Sequence, residues 1–121
     1  MEKKNIDKSN CLIAEFMGAK VIEKYSDHIL LDFINKDLYP DDSRYHGSTL
    51  LKYHSSWDWL MPVVEKIEQD SRANICIWIK DCWIEYYGVH DDPSTWDIKG
   101  KSKIEAVYKA VVKFIKFYNT L

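Results

Sequence analysis

The sequence predicts an α+β fold, a four-stranded antiparallel sheet with three helices in the order α-β-β-α-β-β-α, and three observations lead there. Short β-type runs come in two pairs, 20–25 with 28–33 and 74–80 with 83–87, each pair separated by only a few residues. Such spacing favours local antiparallel hairpins. Stretches at 11–17, about 55–70 and 102–118 carry apolar residues at helical spacing. With 121 residues and 46% apolar content, the chain is of a size to bury one core, so 1–121 reads as a single domain.

The elements follow in order. The first nine residues are polar and read as a tail that need not be ordered. Cys11 to Met17 form a short first helix that stops at Gly18, the residue type that most easily takes the left-handed C-terminal position. The runs Lys20–Tyr25 and His28–Phe33 make a hairpin around Ser26-Asp27, and 35–47, with Pro40-Asp41-Asp42-Ser43 at its centre, reads as a long loop. The second helix opens near Ser55 or Ser56, where Ser55 and Asp58 have the form of a capping box. Trp57, Leu60, Met61, Val63, Val64 and Ile67 share its apolar face at 100° per residue. Pro62 inside it removes one backbone bond and predicts a kink or an irregular first turn. A second hairpin follows, with Ile75, Ile77 and Ile79 on one face. A turn around Lys80 and Asp81 sets Cys76 opposite a residue near Glu85. Residues His90 to Gly100 read as a polar loop. Ser102-Lys103-Ile104-Glu105 is a capping box opening the longest helix, whose inner face carries Ile104, Val107, Tyr108, Val111, Ile115 and Tyr118. The expected core joins Leu60, Val64, Ile67, Ile104, Val107, Val111 and Ile115 to the Ile75, Ile77 and Ile79 face.

Composition narrows the function classes. Net charge is −2, which gives no general pull toward nucleic acid, although six Lys against Glu105 alone make the segment from Lys99 onward +5. No apolar run approaches the ~20 residues of a membrane span, and Met1 to Asn10 are polar where a secretory signal would be apolar. A cytoplasmic protein with no membrane association is expected. Cys11, Cys76 and Cys82 form no C-x-x-C pair, so neither a disulfide framework nor a zinc cage is suggested, and they read as small buried hydrophobes.

Three stretches carry a resemblance: Leu12-Ile13-Ala14-Glu15-Phe16-Met17-Gly18, the block Tyr53-His54-Ser55-Ser56-Trp57-Asp58-Trp59-Leu60-Met61-Pro62-Val63-Val64-Glu65-Lys66-Ile67, and Ser102-Lys103-Ile104-Glu105-Ala106-Val107-Tyr108. They resemble small uncharacterised proteins of Bacteroidales genomes and their phages or integrated elements. The resemblance implies a phage-like origin and this fold, and no chemistry, because that group carries no assigned activity.

Candidate sites each have a plainer reading. His54, Trp57, Asp58 and Trp59 cluster at a helix N-terminus, where a His beside a carboxylate suits anion binding or acid–base work; helix capping with aromatic packing explains them as well. Trp59 lies ~200° around the helix from Trp57, so both cannot face one core. It is expected to be covered by the preceding loop or to anchor an interface, with Tyr53 and His54 framing the same patch. Asp41, Asp42 and His46, with His90, Asp91, Asp92 and Asp97, are metal-ligating types at no recognised spacing. Lys109, Lys113 and Lys116 form a basic helix face of the kind that meets phosphates, but no Arg joins it and the rest of the chain is acidic, so a solvated face and no nucleic-acid partner are expected. No catalytic motif is present, and no cofactor is implied. The expectation is a non-enzymatic accessory module that binds another protein or itself. The alternative is a small nucleic-acid-associated or metal-dependent hydrolytic factor.

Overall fold

A computed structural model describes residues 3–33, 45–88 and 92–121. Within them the chain forms two compact units, Met1–Pro62 and Val63–Leu121. In place of one four-stranded sheet there are two three-stranded antiparallel sheets, ordered β1-β2-β3 and β4-β5-β6. Each of the expected hairpins is present, and each has gained a third strand that the sequence reading placed in a loop.

In the first unit α1 runs from Lys3 to Phe16, so most of the residues read as a polar tail form its first turns. Asn10, Cys11, Ile13 and Ala14 are its buried side. Gly18 ends the turn at φ +99°, a conformation in which a Cβ would be strained. Strands β1 (Lys20–Lys24) and β2 (Ile29–Asp32) pair antiparallel. The Tyr25 N–H donates to the His28 carbonyl at 2.8 Å, closing the hairpin on Ser26-Asp27 as expected. A bulge between Val21 and Glu23 leaves Ile22 unmatched and exposed. Strand β3 (Tyr45–Gly47) pairs with β2 through Leu30↔Gly47 and Asp32↔Tyr45, so the final residues of the expected loop are a strand. A 3-10 turn at Ser48–Leu50 follows, and the Ser48 hydroxyl accepts from the Ile29 N–H at 2.8 Å.

Helix α2 spans Trp57–Glu68. The Ser56 carbonyl accepts from the N–H groups of Trp59 and Leu60, which places the helix start where the sequence put it. Pro62 sits inside the helix, and the two compact units meet in the chain directly after it. The buried residues are Trp59, Leu60, Val63, Val64 and Ile67, while Trp57 is 37% exposed. The apolar stripe is therefore turned by roughly 50° from the expected one.

In the second unit β4 (Ala73–Ile77), β5 (Asp81–Tyr86) and β6 (Ser94–Lys99) form an up-and-down sheet. At the start of β4, Arg72 makes paired bonds of 3.1 Å to the Asp70 carboxylate, and its guanidinium lies 5.2 Å from the Tyr86 ring centre. Cys76 pairs with Trp83, and Glu85 pairs with Asn74. The turn comes one residue earlier than expected, at Ile79-Lys80, closed by the Trp78 N–H donating to the Asp81 carbonyl at 2.8 Å, which shifts the register. Ile75 and Ile77 are half-buried, whereas Ile79 lies in the turn and is 80% exposed. Strand β6 occupies the expected polar loop. Its Ser94, Trp96 and Ile98 alternate with the exposed Thr95, Asp97 and Lys99.

Helix α3 (Lys103–Tyr118) packs on β5 and β6. The Ser102 hydroxyl accepts from the Glu105 N–H at 3.3 Å, and the Glu105 carboxylate accepts from the Lys101 N–H at 3.1 Å, so the expected cap is in place. Val107, Val111 and Ile115 are buried as expected, and Ile104 is half-buried. Tyr86 and Trp96 meet Phe114 edge-on at 5.7 and 5.8 Å between ring centres, within the range that favours such pairs. A Cβ on Gly100 would lie 2.5 Å from the Ala106 nitrogen; only glycine lets β6 turn this tightly into α3.

Candidate functional site

The residues expected to form a binding patch are instead an interior assembly. Trp59 is 2% exposed and Tyr53 is fully buried. Trp59 meets Tyr53 edge-on at 5.1 Å and Phe33 at 6.5 Å. The surface-anchor expectation for Trp59 is thus corrected, because the rotated stripe sends Trp59 inward and Trp57 outward. The Tyr53 hydroxyl is buried with no hydrogen-bond partner among the described residues, and burial raises its pKa above the ordinary value.

His54 is half-buried beside them. The Asn10 amide nitrogen donates to the Leu51 carbonyl at 3.2 Å and lies 3.1 Å from His54 Nδ1. The Leu51 bond fixes which end of the amide is the nitrogen, so Nδ1 of His54 must be the acceptor and its proton sits on Nε2. A protonated ring would set two donors against each other. Burial lowers the His54 pKa for the same form, with the Asp7 carboxylate opposing. This histidine is a neutral structural acceptor.

A second cluster lies in a cleft of about 210 Å³ in the first unit, between α1, the β1–β2 turn and the 3-10 turn. Cys11, Asp27, His28 and Ser48 line it. His28 Nδ1 is 2.7 Å from Asp27 Oδ1, a bond that lowers the Asp27 pKa, and Tyr25 stacks on the His28 ring at 4.6 Å. These are residue types of a Cys–His nucleophile pair. Burial, however, raises the Cys11 thiol, only partly offset by the Ser48 hydroxyl, and an activated cysteine needs the reverse shift.

Among the described residues no group of three or more His, Cys, Asp or Glu is placed to hold a metal ion. Asp41, Asp42, His90 and Asp91 lie outside them. On the basic helix face Lys109 is held by Glu105 at 2.9 Å, leaving Lys113 and Lys116 exposed. No helix among the described residues is long and apolar enough to cross a membrane.

Among the described residues, a pair of large apolar side chains stands exposed at the β4–β5 turn. Trp78 is 55% and Ile79 80% exposed, side by side at a tip flanked by Lys80 and Asp81. Turn tips ordinarily take Gly, Asn, Asp or Pro, so two bulky apolar residues there are out of place for a solvated loop. Sequence reasoning missed this pair because it continued the strand through Lys80. The run Ile77-Trp78-Ile79 contains no turn former that would have marked the reversal. Comparison with family models, curated proteins and solved structures gives no match to this chain.

Proposed function

We propose that the chain is a non-enzymatic accessory module, of the phage or mobile-element type and acting in the cytoplasm, that binds another protein through the β4–β5 hairpin tip. The observation that carries this is the adjacent exposure of Trp78 and Ile79. Tryptophan is over-represented among residues that dominate interface energies. Exposed apolar pairs of this kind favour association because covering them removes apolar area from water, at roughly 25 cal/mol per Å². The competing nucleic-acid reading needs Lys109, Lys113 and Lys116 to act together, and Lys109 is committed to Glu105.

The test is a photo-crosslinking residue at position 79, with position 113 on the α3 outer face as control. A protein adduct at 79 that is absent at 113 and suppressed by Trp78→Ala is the expected result. Equal adducts at both positions, or recovery of nucleic acid in place of protein, would sink the reading.

A further inference from the structure

In the β4–β5 ladder, the Tyr87 N–H donates to the Arg72 carbonyl and the Trp78 N–H to the Asp81 carbonyl. Antiparallel pairs alternate between bonded and non-bonded, so with the observed register Asn74 and Cys76 also face β5. Ile75 and Ile77 therefore direct their N–H and C=O groups away from it. No strand pairs with that edge of β4 among the described residues.

The two edges of this sheet differ in a telling way. Edge strands are usually blunted by charges or proline. The β6 edge has Asp97 and Lys99 within it and Pro93 before it. The β4 edge runs Ala73-Asn74-Ile75-Cys76-Ile77-Trp78-Ile79 with no charge and no proline. We infer that β4 pairs antiparallel with β4 of a second copy, about a two-fold axis at Cys76, joining the two sheets into one of six strands.

The second copy is the occupant that this edge fits. An isologous interface sets each residue against its own symmetry mate or a near neighbour, and a segment that is neutral from residue 73 to 79 opposes no like charges. With the axis at Cys76, Ile75 faces Ile77 of the other copy in bonded pairs, so the outward N–H and C=O groups of both isoleucines are used. The neighbouring registers, with the axis at Ile75 or at Ile77, also form bonded pairs but set Ile77 against Ala73 or Ile75 against Ile79, and neither brings Cys76 to its own mate, so a Cys76 cross-link distinguishes them. Arg72 and Lys80 fall opposite each other beyond the ends of the ladder, where Arg72 is already paired with Asp70 at 3.1 Å. Trp78 falls beside Asn74 of the other copy, which makes the hairpin tip the margin of the same interface. The inference rests on the reading of this hairpin as a binding surface and names its partner.

The same geometry supplies a reporter. Cys76 would meet its symmetry mate in a non-bonded pair, with Cα atoms about 4.5 Å apart, inside the disulfide range of about 4.4–6.8 Å. Cys82 projects from the opposite face and is fully buried, with its thiol pushed up to about 12, and Cys11 is buried in the first unit with its thiol also raised, so a cross-link reports on Cys76.

The experiment is a dilution series of the full chain, followed by sedimentation and by amide hydrogen exchange. The dimer mass is expected at the concentrated end, with the Ile75 and Ile77 amides protected there and exchanging freely on dilution. The Asn74 and Cys76 amides, bonded to β5, should stay protected throughout. Diamide, which takes up two electrons and two protons as two thiols join, should give a covalent dimer. Cys76→Ser should lose that covalent species while keeping the dimer mass. Ile77→Pro removes an outward N–H without touching the bonds to β5 and should abolish the dimer; if it fails to fold, the wild-type exchange pattern decides. A monomer at every concentration, or a dimer whose Ile75 and Ile77 amides exchange freely, overturns the inference. A monomer that still forms a protein adduct at position 79 sinks this inference alone, and one that forms none sinks the proposed function as well.

Discussion

Replacing Trp59 by alanine should destabilise the protein severely, and replacing Trp57 should barely matter. Trp59 is 2% exposed and sits edge-on to Tyr53 and Phe33 at 5.1 and 6.5 Å. Truncating a buried tryptophan costs about 3–5 kcal/mol, of which the two aromatic contacts together account for about 1–3 kcal/mol. Trp57, at 37% exposure, should cost about 1 kcal/mol or less, as surface substitutions generally do. Urea unfolding followed by far-ultraviolet circular dichroism separates the two, since neither variant then loses its reporter. With a slope of about 1–3 kcal/mol per molar urea, Trp59→Ala should lower the midpoint by on the order of 2 M. A midpoint unchanged by Trp59→Ala, or one lowered more by Trp57→Ala, would refute the assignment of the helix face.

Tyr53→Phe removes a buried hydroxyl that has no partner among the described residues, and should raise stability by about 1 kcal/mol, the low end of the cost of an unsatisfied buried polar group; a lower urea midpoint would count against it. His54 predicts a pH dependence. Its folded pKa lies below the ordinary 6.5, so the unfolded chain takes up the proton first and unfolding free energy rises with pH. The contribution is complete above about pH 6.5 and drains away as pH falls toward the folded value. His54→Gln should flatten the slope between pH 5 and 7, and an unaltered slope would show that other groups set it. Ser102→Ala should cost about 1 kcal/mol through loss of the cap on α3, read from the same urea midpoints. Equal stability would mean that the 3.3 Å bond to the Glu105 N–H contributes nothing net.

What was legible in the sequence was whatever local chemistry dictates. Gly18, the Ser26-Asp27 turn and the Ser102–Glu105 box each stand where the residues placed them, because a left-handed stop, a two-residue hairpin turn and a capping hydroxyl are decided within a few residues. Strand β6 was misread because Pro93, Asp97 and Lys99 outweighed a period-two alternation of Trp96 and Ile98 that was present in the sequence. An edge strand tolerates such residues, and edge position is a tertiary fact. The exchange of Trp57 and Trp59 has the same root. Both lie at the margins of an apolar stripe, and which margin turns inward depends on what waits there, here Tyr53 and Phe33. Asn10 and His54 came together across 44 residues, a separation at which no spacing rule operates.

The wiring of the second unit bears on how the chain is made. Strands β4, β5 and β6 each pair with a sequence neighbour, and α3 then folds back onto β5 and β6. Only short loops must close, so the entropic barrier to each step is small, and topologies of low contact order fold fast. A hairpin forms in about 1–10 μs, far sooner than the next residues emerge at about 5–20 per second during synthesis. The meander can therefore form before α3 docks on it, with Tyr86 and Trp96 awaiting Phe114. For that interval the nascent sheet presents its inner side chains as well as its β4 edge to whatever is nearby, including another chain on the same message.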